Sequence, residues 1–587
     1  GDPGAGAFIQ IRGQNTITGS GSPLIILDGV PVSNSSIGGA VDGVTQQSRL
    51  NDFNPEDIAN VTVLKGAAAA AVWGTGAANG AIIIQTKKGK TGKFNLDIYS
   101  TIGYDVINVE FDKQDKFGQG YPNWWIGVNP DDYSSDNGRY VPNTGFSWGD
   151  RISARSGGPN GVVIGNTRFE SNRGNTIYPF ATNDDGTIAK NDRTVYNKTN
   201  RDQVFGDGVT YNNGVSMSFS DEKSSTFMSF GNWQQQGIIR GQSSYNRSNL
   251  RLNHTRQMTD RLSASFSTSY AYINSDRIQQ GSNLQGLYLG YLRTSPDFDN
   301  RDYKGTYYNS SNVPTPNSHR GYRNYLGSSA PVYNNPGWTI YEQDNPNVVH
   351  RFNFAPEITY KFSDAIKITG RYGLDYYTDH RGTFFPVNSA AGFAIGSYQQ
   401  DEITEKTENF NVFLQGLHDI SSNVTFDWIL GTAIDRNQYN RLSGYTEGFT
   451  NPDVGDLRIF GNADAANELP TSFKQETRKQ GVYAVANFNL WNQLLLSASG
   501  RYERPSTLEK NIFYPAASLG WKFSENFESD VFSFGKLRAS YGEVGIEPVP
   551  YASSTVFFPG GVESSWGDGL AASAYGNPFT RDVTLGN

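Results

Sequence analysis

The residue types that carry most enzyme chemistry are sparse in this chain, and they lack catalytic spacing. Cysteine is absent and the five histidines are scattered, which leaves no thiolate, disulfide or spaced histidine ligand set. No G-x-S-x-G nucleophile elbow occurs. The paired carboxylates Asp131-Asp132 and Asp184-Asp185 stand in polar turns, where solvation accounts for them. We therefore predict that the protein is not an enzyme; we predict no cofactor and assign no metal ligand.

Glycines recur through the first ~90 residues and could be mistaken for a phosphate-binding loop. They are Gly13, Gly29, Gly66, Gly74 and Gly80. Their spacing fits neither G-x-x-x-x-G-K-[ST] nor G-x-G-x-x-G. We interpret them as tight turns of a compact domain.

A group of aromatic side chains stands in a long polar segment and could bind a ligand. Its members are Tyr121, Trp124, Trp125 and Trp148. Aromatic faces stack on sugar rings and also pack peptide side chains. The alternative is that they pack this segment against other loops or against a protein partner, and the sequence leaves both possibilities open.

Composition excludes some classes of protein. The chain has 587 residues, a net charge of −8 and no basic stripe, so we predict no binding to nucleic acid. Mean hydropathy is −0.54, and no apolar run approaches the ~18–20 residues of a membrane-spanning helix. Aromatic residues nevertheless reach 13%. A transmembrane strand needs only ~9–11 residues with one apolar face, so a membrane β-barrel fits this composition.

The first 92 residues predict a small α+β domain. Short apolar strands are indicated at Pro23–Leu27, Val61–Leu64 and Ala81–Thr86. Asn54 followed by Pro55 is typical of a helix start. A Lys-Lys-Gly sequence at 87–89 closes this unit.

From Asn95 onward, apolar and polar residues alternate with a period of two in about thirteen segments. The segments are 95–105, 211–220, 224–234, 246–254, 261–273, 351–361, 365–377, 408–419, 423–436, 480–490, 493–503, 513–523 and 535–544. A soluble β-sandwich or propeller would also alternate, but its strands are usually nearer 5–6 residues. Lysine, arginine and carboxylates on the polar faces fit a wet lumen better.

The connections between these segments alternate strictly between short and long. If the first segment runs outward, every inward connection is short. Every long polar connection then lies outside, at 106–210, 274–350, 378–407, 437–479 and 545–587. Long loops on one side only are typical of an outer-membrane β-barrel. An odd number of strands leaves an open sheet edge, so we expect the chain to be truncated at both ends.

Motifs of the first domain resemble the plug of SusC/RagA-like TonB-dependent outer-membrane transporters. These motifs are Ile11-Arg12-Gly13, Pro23-Leu24-Ile25-Ile26-Leu27-Asp28-Gly29-Val30-Pro31, Asn54-Pro55-Glu56-Asp57-Ile58, Val63-Leu64-Lys65-Gly66-Ala67, Trp73-Gly74 and Ala78-Asn79-Gly80-Ala81-Ile82. Gly66 replaces the usual Asp and Trp73 the usual Tyr. Tyr514-Pro515-Ala516 and Lys536-Leu537-Arg538 resemble barrel motifs of the same family.

The resemblance implies a plug domain at 1–92, followed at 93–587 by part of a transmembrane antiparallel β-barrel that has about 22 strands in the family. It also implies TonB-dependent import of a bulky nutrient, oligosaccharide or peptide, across the outer membrane of a bacterium of the Bacteroidota. The expected partners are a SusD-like surface lipoprotein, the TonB complex of the inner membrane and outer-membrane lipid. The alternatives are a soluble or surface all-β carbohydrate-binding protein and, less favoured, an outer-membrane enzyme or adhesion barrel.

Within this resemblance the plug motifs give candidate gating residues. They are Arg12, Gly13, Asp28, Gly29, Lys65, Gly66, Gly74, Asn79 and Gly80. We predict that Arg12, Asp28 and Lys65 form ion pairs within the plug or between plug and barrel wall, with substrate contact as the alternative. Such polar contacts would hold the plug at rest yet yield under force, because water can replace them at modest cost.

Overall fold

A four-stranded sheet forms the centre of the first domain of the computed structural model. The structure describes residues 2–6, 9–11, 21–35, 43–65, 73–89, 92, 94–122, 138–142, 144–158, 166–177, 181–182, 188–279, 286–323, 331–451, 458–526 and 534–550. The strands are β1 (Leu24–Leu27), β2 (Val30–Val32), β3 (Ile58–Leu64) and β4 (Ala81–Thr86). Their order is β2-β1-β4-β3, in which only β1 and β4 run parallel.

The sheet of the plug buries side chains on both faces, because successive residues of a strand point to opposite sides. Ile25 and Leu27 pack with Phe53 on one face, while Ile26 packs with Ala77 and Ala81 on the other. A tight turn joins β1 to β2, and its two residues have positive φ, 50° at Asp28 and 82° at Gly29. The predicted glycine turn at this position is therefore present.

The predicted helix start at Asn54 becomes a single 3-10 turn, Pro55–Asp57. The Asn54 side chain accepts a hydrogen bond from the Glu56 backbone N–H at 3.2 Å, as an N-cap should. The turn stops because Ile58 is already extended and begins β3. Two further 3-10 turns, Arg49–Asp52 and Gly74–Ala77, flank the sheet. The alanine-rich segment 67–72, whose composition predicts a short helix closed by Gly74, lies outside the described residues.

Thirteen antiparallel strands form one large sheet in chain order. They are β5 (Asn95–Asp105), β6 (Gly208–Ser220), β7 (Ser224–Gln236), β8 (Ser244–Gln257), β9 (Leu262–Asp276), β10 (Pro346–Lys361), β11 (Ile366–Phe385), β12 (Ser397–Ser421), β13 (Val424–Glu447), β14 (Thr471–Leu490), β15 (Leu494–Pro505), β16 (Ile512–Trp521) and β17 (Leu537–Gly542). Neighbours in sequence are neighbours in the sheet, and β5 and β17 are its two edges. The predicted plug followed by barrel-type strands is confirmed, and the sheet does not close on itself.

Several strands extend well beyond the segments that alternation predicts. β12 has 25 residues and β13 has 24, and they stay paired from Ser397–Glu447 to Ser421–Val424. Beyond Phe410 the outward side chains become polar, as at Lys406 and Glu402. The backbone ladder continues there although the contrast between faces disappears, so hydrophobic periodicity detects only the apolar part of each strand.

The two longest loops fold together into a loop head at the open end of the sheet. It contains α1 (Asn197–Val204), α2 (Leu287–Arg293), α3 (Pro336–Tyr341) and a four-stranded sheet of Arg168–Ser171, Thr176–Ile177, Lys304–Tyr308 and Pro314–His319. Two small hairpins also belong to the loops, Gly120–Pro122 with Gly138–Tyr140 and Ala181–Thr182 with Ile188–Ala189. The apolar core of the loop head consists of Val204, Phe205, Ile278, Leu287, Tyr291 and Ile340.

A buried ion pair ties the two loops of this head together. Arg155 of the first loop donates to Asp297 of the second at 2.8 Å, and both side chains are fully buried. Among the described residues, no helix has the length and apolar character needed to cross a membrane.

Candidate functional site

The inner surface of the large sheet holds the plug through alternate residues of β8. Arg247 donates hydrogen bonds to the backbone oxygens of Asn51 and Phe53 at 2.7 and 2.9 Å. Asn249 donates to the Asp52 backbone oxygen at 2.7 Å. Asn253 donates to Thr86 Oγ1 and to the Lys87 backbone oxygen at 2.8 and 2.7 Å. Every second residue faces the plug because side chains of a strand alternate between its two faces.

The first charged contact between plug and wall is fully buried; we call it the Arg351 cluster. Arg351 of β10 holds Asp375 of β11 through two hydrogen bonds of 2.9 and 2.8 Å. The same guanidinium reaches the plug at Asp52 Oδ2 (3.3 Å) and at the backbone oxygens of Arg49 and Ser33 (2.5 and 2.8 Å). Burial raises the pKa of the Asp52 carboxyl, although the neighbouring Arg49 and Arg351 oppose this shift.

Arg49 adds a plug cation to this cluster through long contacts only. Its guanidinium lies 3.7 Å from Asp52 and 3.6 Å from Asp379 of β11, and its side chain is 1% exposed. Its three nitrogens donate no hydrogen bond in the described structure. The attraction is thus mainly coulombic, and a small displacement of the plug costs Arg49 little.

A second contact surrounds Asp28, one of the residues that the plug motif identifies. Its carboxylate accepts hydrogen bonds from the Thr86 backbone N–H (2.9 Å) and Thr86 Oγ1 (2.8 Å) within the plug. It also accepts from Ser267 Oγ of β9 at 2.7 Å and pairs with Arg251 of β8 at 3.5 Å. Arg251 pairs in addition with Asp57 at 3.4 Å. Asp28 therefore braces the plug internally and also joins it to the wall.

A third contact depends on Gly74. The Thr75 backbone N–H donates to Glu503 of β15 at 3.1 Å, and Arg501 holds the same carboxylate through bonds of 3.0 and 2.8 Å. Gly74 has a φ of +68°, and a Cβ there would collide with the Glu503 carboxylate. Glycine is required at this position for the backbone to approach the wall.

The other predicted site residues are distributed over the molecule. Gly29 turns against Arg371, which donates to its backbone oxygen at 3.2 Å. Asn79 is buried, and Gly80 has a φ of 89° before β4. Lys65 is exposed at the end of β3 and pairs with no other described residue. Arg12, Gly13 and Gly66 lie outside the described residues.

The predicted aromatic group is only partly described, since Trp124 and Trp125 lie outside the described residues. Tyr121 packs on Phe146, with ring centroids 5.2 Å apart. Trp148 is 57% exposed and its ring centroid lies 6.5 Å from that of Phe117. The structure brings Tyr121 and Trp148 into one region of the first loop, without bringing either to the plug contacts.

Two cavities with charged lining residues lie between described residues of plug and wall. A cavity of about 230 Å³ lies between Trp73 of the plug and the wall residues Asp435 and Lys479. A larger one of about 610 Å³ lies near the short turns, where Asp28 and Arg371 line it. Polar cavities of this size hold water, so the plug meets the wall through hydrogen bonds and solvent.

Sequence reasoning missed the residues that contribute most to the first contact, Arg49, Asp52 and Arg351. Arg49 and Asp52 stand outside the plug motifs, in a segment without periodicity. A usable signal existed for Arg351: charged residues at alternate positions of a barrel strand face the lumen, where the plug sits. The described residues contain no group of three or more histidine, aspartate or glutamate side chains placed to hold a metal ion.

Comparison with known proteins agrees with this architecture. The family model "TonB-dependent Receptor Plug Domain" matches residues 1–81, and the model "TonB dependent receptor-like, beta-barrel" matches residues 279–581. The chain is 25% identical to the TonB-dependent receptor SusC of Bacteroides thetaiotaomicron, over 93% of this chain and 48% of that protein. It is also 25% identical to the TonB-dependent receptor P26 of Formosa agariphila, over 94% of this chain and 48% of that protein.

Among solved structures, the RagAB peptide importer in its closed-closed state superposes with a TM-score of 0.69 at 17% identity, over 97% of this chain and 59% of that one. The chain spans about half the length of the curated relatives that it matches. Relatives of this family are outer-membrane β-barrel proteins. The plug, the thirteen strands and the matching family models show that the chain belongs to the TonB-dependent receptor family, as a SusC/RagA-like member.

Proposed function

We propose that the protein imports a bulky nutrient across the bacterial outer membrane by a TonB-dependent mechanism. The observation that carries the proposal is the way the plug is held: among the described residues, polar side chains of the wall contact it through hydrogen bonds and ion pairs, and water can replace these partners when the plug moves. A plug that must detach from the wall and bind it again needs such an interface, because replacing one neutral hydrogen bond by bonds to water costs only ~0.5–1.5 kcal/mol of free energy.

The outward face of the sheet supports a position in the membrane. Large apolar side chains stand on it in a band that no described residue covers, including Phe230, Leu250, Leu430 and Val482, each about half exposed. A soluble all-β carbohydrate-binding protein, the alternative function, would have to expose this whole band to water. Contiguous exposed apolar surface of that extent is rare on soluble monomers.

We infer that residues 1–92 move as the gating unit. β5 begins at Asn95 and is the first strand of the wall, which supports the boundary proposed from the sequence. Force from the TonB complex, applied on the N-terminal side of the plug, would first break contacts that are long or wet. The pair of Arg49 with Asp379 of the wall, at 3.6 Å, belongs to this class, and both cavities offer space into which the plug can shift.

A SusD-like surface lipoprotein and an oligosaccharide or peptide cargo complete the proposal. The support is the likeness to SusC and to the RagAB peptide importer, together with the folded loop head. Exposed Trp148 provides a surface on which sugar rings or peptide side chains stack. The first step is a gentle detergent purification of the full-length protein, followed by mass spectrometry of the partner and cargo that accompany it.

The absence of cysteine makes a direct test of plug movement possible. Asp57 of the plug and Ser229 of the wall lie 2.6 Å apart at their side-chain oxygens. The double variant Asp57→Cys/Ser229→Cys would tether the plug to the wall under oxidising conditions. The matched control is Ser220→Cys/Ser225→Cys, two wall residues that are direct cross-strand partners.

We expect oxidation to stop uptake of the co-purified cargo in the tethered variant, reduction to restore it, and the control to import in both states. Deletion of the TonB complex should stop uptake in every variant. If the fully oxidised, tethered protein imported cargo as fast as the same variant does after reduction, gating by the plug would be contradicted.

A further inference from the structure

A cluster of basic side chains lies on the outer surface of the sheet, on the face opposite to the plug. We call it the outer basic patch; it comprises Lys406, Arg436, Lys474, Arg478 and Arg504 of β12 to β15. Two carboxylates lie among them, Glu408 and Glu476, so three positive charges remain in excess. This is notable in a chain whose net charge is −8.

Alternation along the strands places the patch outside. The neighbours of these residues in sequence, such as Glu405, Asp435 and Lys479, line the cavity against the plug, whose lining also includes Arg436. The guanidinium of Arg436 nevertheless bonds Glu476 and lies 3.7 Å from Glu408, both on the outer face. Successive side chains of a strand point to opposite faces, so Lys406, Arg436 and Arg478 point away from the lumen. In agreement, the side chain of Arg478 is 63% exposed.

The height of the patch matches the outer boundary of a lipid bilayer. At the short-turn end, Phe426 stacks on Phe488 with ring centroids 4.5 Å apart, as in an interfacial aromatic girdle. Arg436 stands ten positions after Phe426 along the strand, and Leu430 and Ile434 are the exposed apolar side chains between them. Ten residues rise ~33 Å along a strand, which a tilt of ~40° reduces to ~25 Å, the height of the apolar band of such barrels.

The basic residues are confined to one arc of the wall. Across β5 to β11, the described outward positions at and above this level hold no lysine or arginine. They hold the carboxylate of Asp276 and otherwise neutral polar, apolar and aromatic groups, among them Gln234, Asn246, Tyr272, His350 and Thr378. A general need for solubility would spread charge around the wall, so the arc points to a local ligand.

The patch is short of negative charge within the protein itself. Arg436 and Arg478 are direct cross-strand partners, an arrangement that is destabilising for like charges. Glu476 serves both, through two bonds of 3.0 Å to Arg436 and one of 2.5 Å to Arg478. Lys474 and Arg504 form no ion pair with any described residue. One further anion would relieve this repulsion, and phosphate accepts several hydrogen bonds from guanidinium groups at once.

We propose that the outer basic patch binds the phosphate-bearing headgroup of a glycolipid in the outer leaflet. Its acyl chains would lie along Leu430, Ile434 and Val482 directly below, while the loops above remain free. The inference rests on the proposed position of these strands in the outer membrane, and it goes beyond nutrient import because the site faces lipid.

The test uses the full-length protein purified in mild detergent and placed in phosphatidylcholine nanodiscs, with and without a monophosphorylated disaccharide glycolipid. The variant Arg436→Gln/Lys474→Gln/Arg478→Gln removes three charges from the patch. The matched control Lys223→Gln/Arg256→Gln/Arg261→Gln removes three charges near the short turns at the other end of the barrel. Bound glycolipid is counted by native mass spectrometry, and inorganic phosphate is tested separately at the same concentration.

We expect about a fivefold loss of glycolipid binding for each charge removed, hence roughly a hundredfold in the triple variant, and little loss in the control. Glu476→Gln frees both arginines and should bind more glycolipid than the native protein, a gain that misfolding cannot imitate. Equal retention of glycolipid by the native protein and the triple variant would overturn the site, and so would equally strong binding of inorganic phosphate. Native protein that stays monodisperse without detergent would instead overturn the membrane position on which the inference rests.

Discussion

Replacing Arg351 by methionine should loosen the plug while leaving the wall folded. Arg351 is 1% exposed and connects both sides of the interface: Asp375 belongs to the wall, whereas Asp52 and the backbone oxygen of Ser33 belong to the plug. Methionine is shorter than arginine but fills most of the same volume, and its thioether can pack on Phe53, whose ring centroid lies 4.4 Å from the guanidinium carbon. The substitution therefore removes the charge and its hydrogen bonds with little loss of volume.

The expected magnitude follows from what remains behind. Asp52 and Asp375 would stay buried with Arg49 as the nearest cation, 3.7 Å from Asp52. Removing one member of a buried ion pair costs about 3–5 kcal/mol, because the remaining charge is left uncompensated. If that cost is borne by the plugged state, the population of the released plug rises by roughly 10²- to 4×10³-fold.

Hydrogen-exchange mass spectrometry of the full-length protein in detergent measures this effect. Peptides covering β1, β2 and β4 should exchange faster in Arg351→Met, while peptides of β13 and β14 should not change. The matched control is Arg371→Gln, because Arg371 is 20% exposed and its pair with Glu357 is worth less in the presence of water. Asp52→Asn added to Arg351→Met should restore part of the protection by removing one stranded charge.

The reasoning would be refuted if Arg351→Met changed protection of the plug no more than Arg371→Gln does. It would also be refuted if the peptides of the wall lost protection to the same extent as the plug.

Three further predictions concern the plug, the loop head and the aromatic group. Gly74→Ala should weaken the binding of the plug to the wall by more than ~1 kcal/mol, because the φ of Gly74 is positive and a Cβ there would meet Glu503. Faster hydrogen exchange at residues 73–80 would show this loss, and an unchanged exchange rate would contradict the close approach. Burial lowers the pKa of His319 to about 3, and its ring stacks on Trp338 at 4.4 Å. In the folded loop head His319 stays neutral, whereas in the unfolded chain it binds a proton near pH 6.5. The free energy of unfolding of the head is therefore complete above that pH and falls by up to ~1.4 kcal/mol per pH unit as the pH drops towards 3. Thermal unfolding from pH 7 to 4 measures this dependence, and His319→Gln should show a flatter profile. Trp148→Ala should change the free energy of unfolding by less than ~0.5 kcal/mol, because the ring is exposed. It should weaken the binding of cargo or lipoprotein about two- to tenfold, as measured by calorimetry. Unchanged binding would show that the exposed ring takes no part in recognition.

The strand pattern could be predicted from the sequence wherever the two faces of a strand meet different media. From Phe426 to Ile434 the outward residues are mainly apolar and the inward ones face the wet plug, so the period of two is visible. The upper halves of β12 and β13 escaped prediction because both of their faces carry polar residues: the outward ones meet water, while inward ones such as Asp401 and Glu405 are buried in polar contacts. There, only the hydrogen bonds of the paired backbones keep the strands extended.

The candidate site divides in the same way between sequence and structure. Asp28 and Gly74 could be identified from local motifs, because tight turns restrict which residues fit and leave a trace in a few adjacent letters. The Arg351 cluster could not be identified in this way. Asp52 is 299 positions from Arg351 along the chain, and the two meet only when the plug lies inside the sheet. The sequence by itself determined the order of plug and sheet strands, the alternation of short and long connections, and the family. The tertiary structure alone decided which charges of the plug meet which charges of the wall, because that depends on register and on where one domain sits inside another.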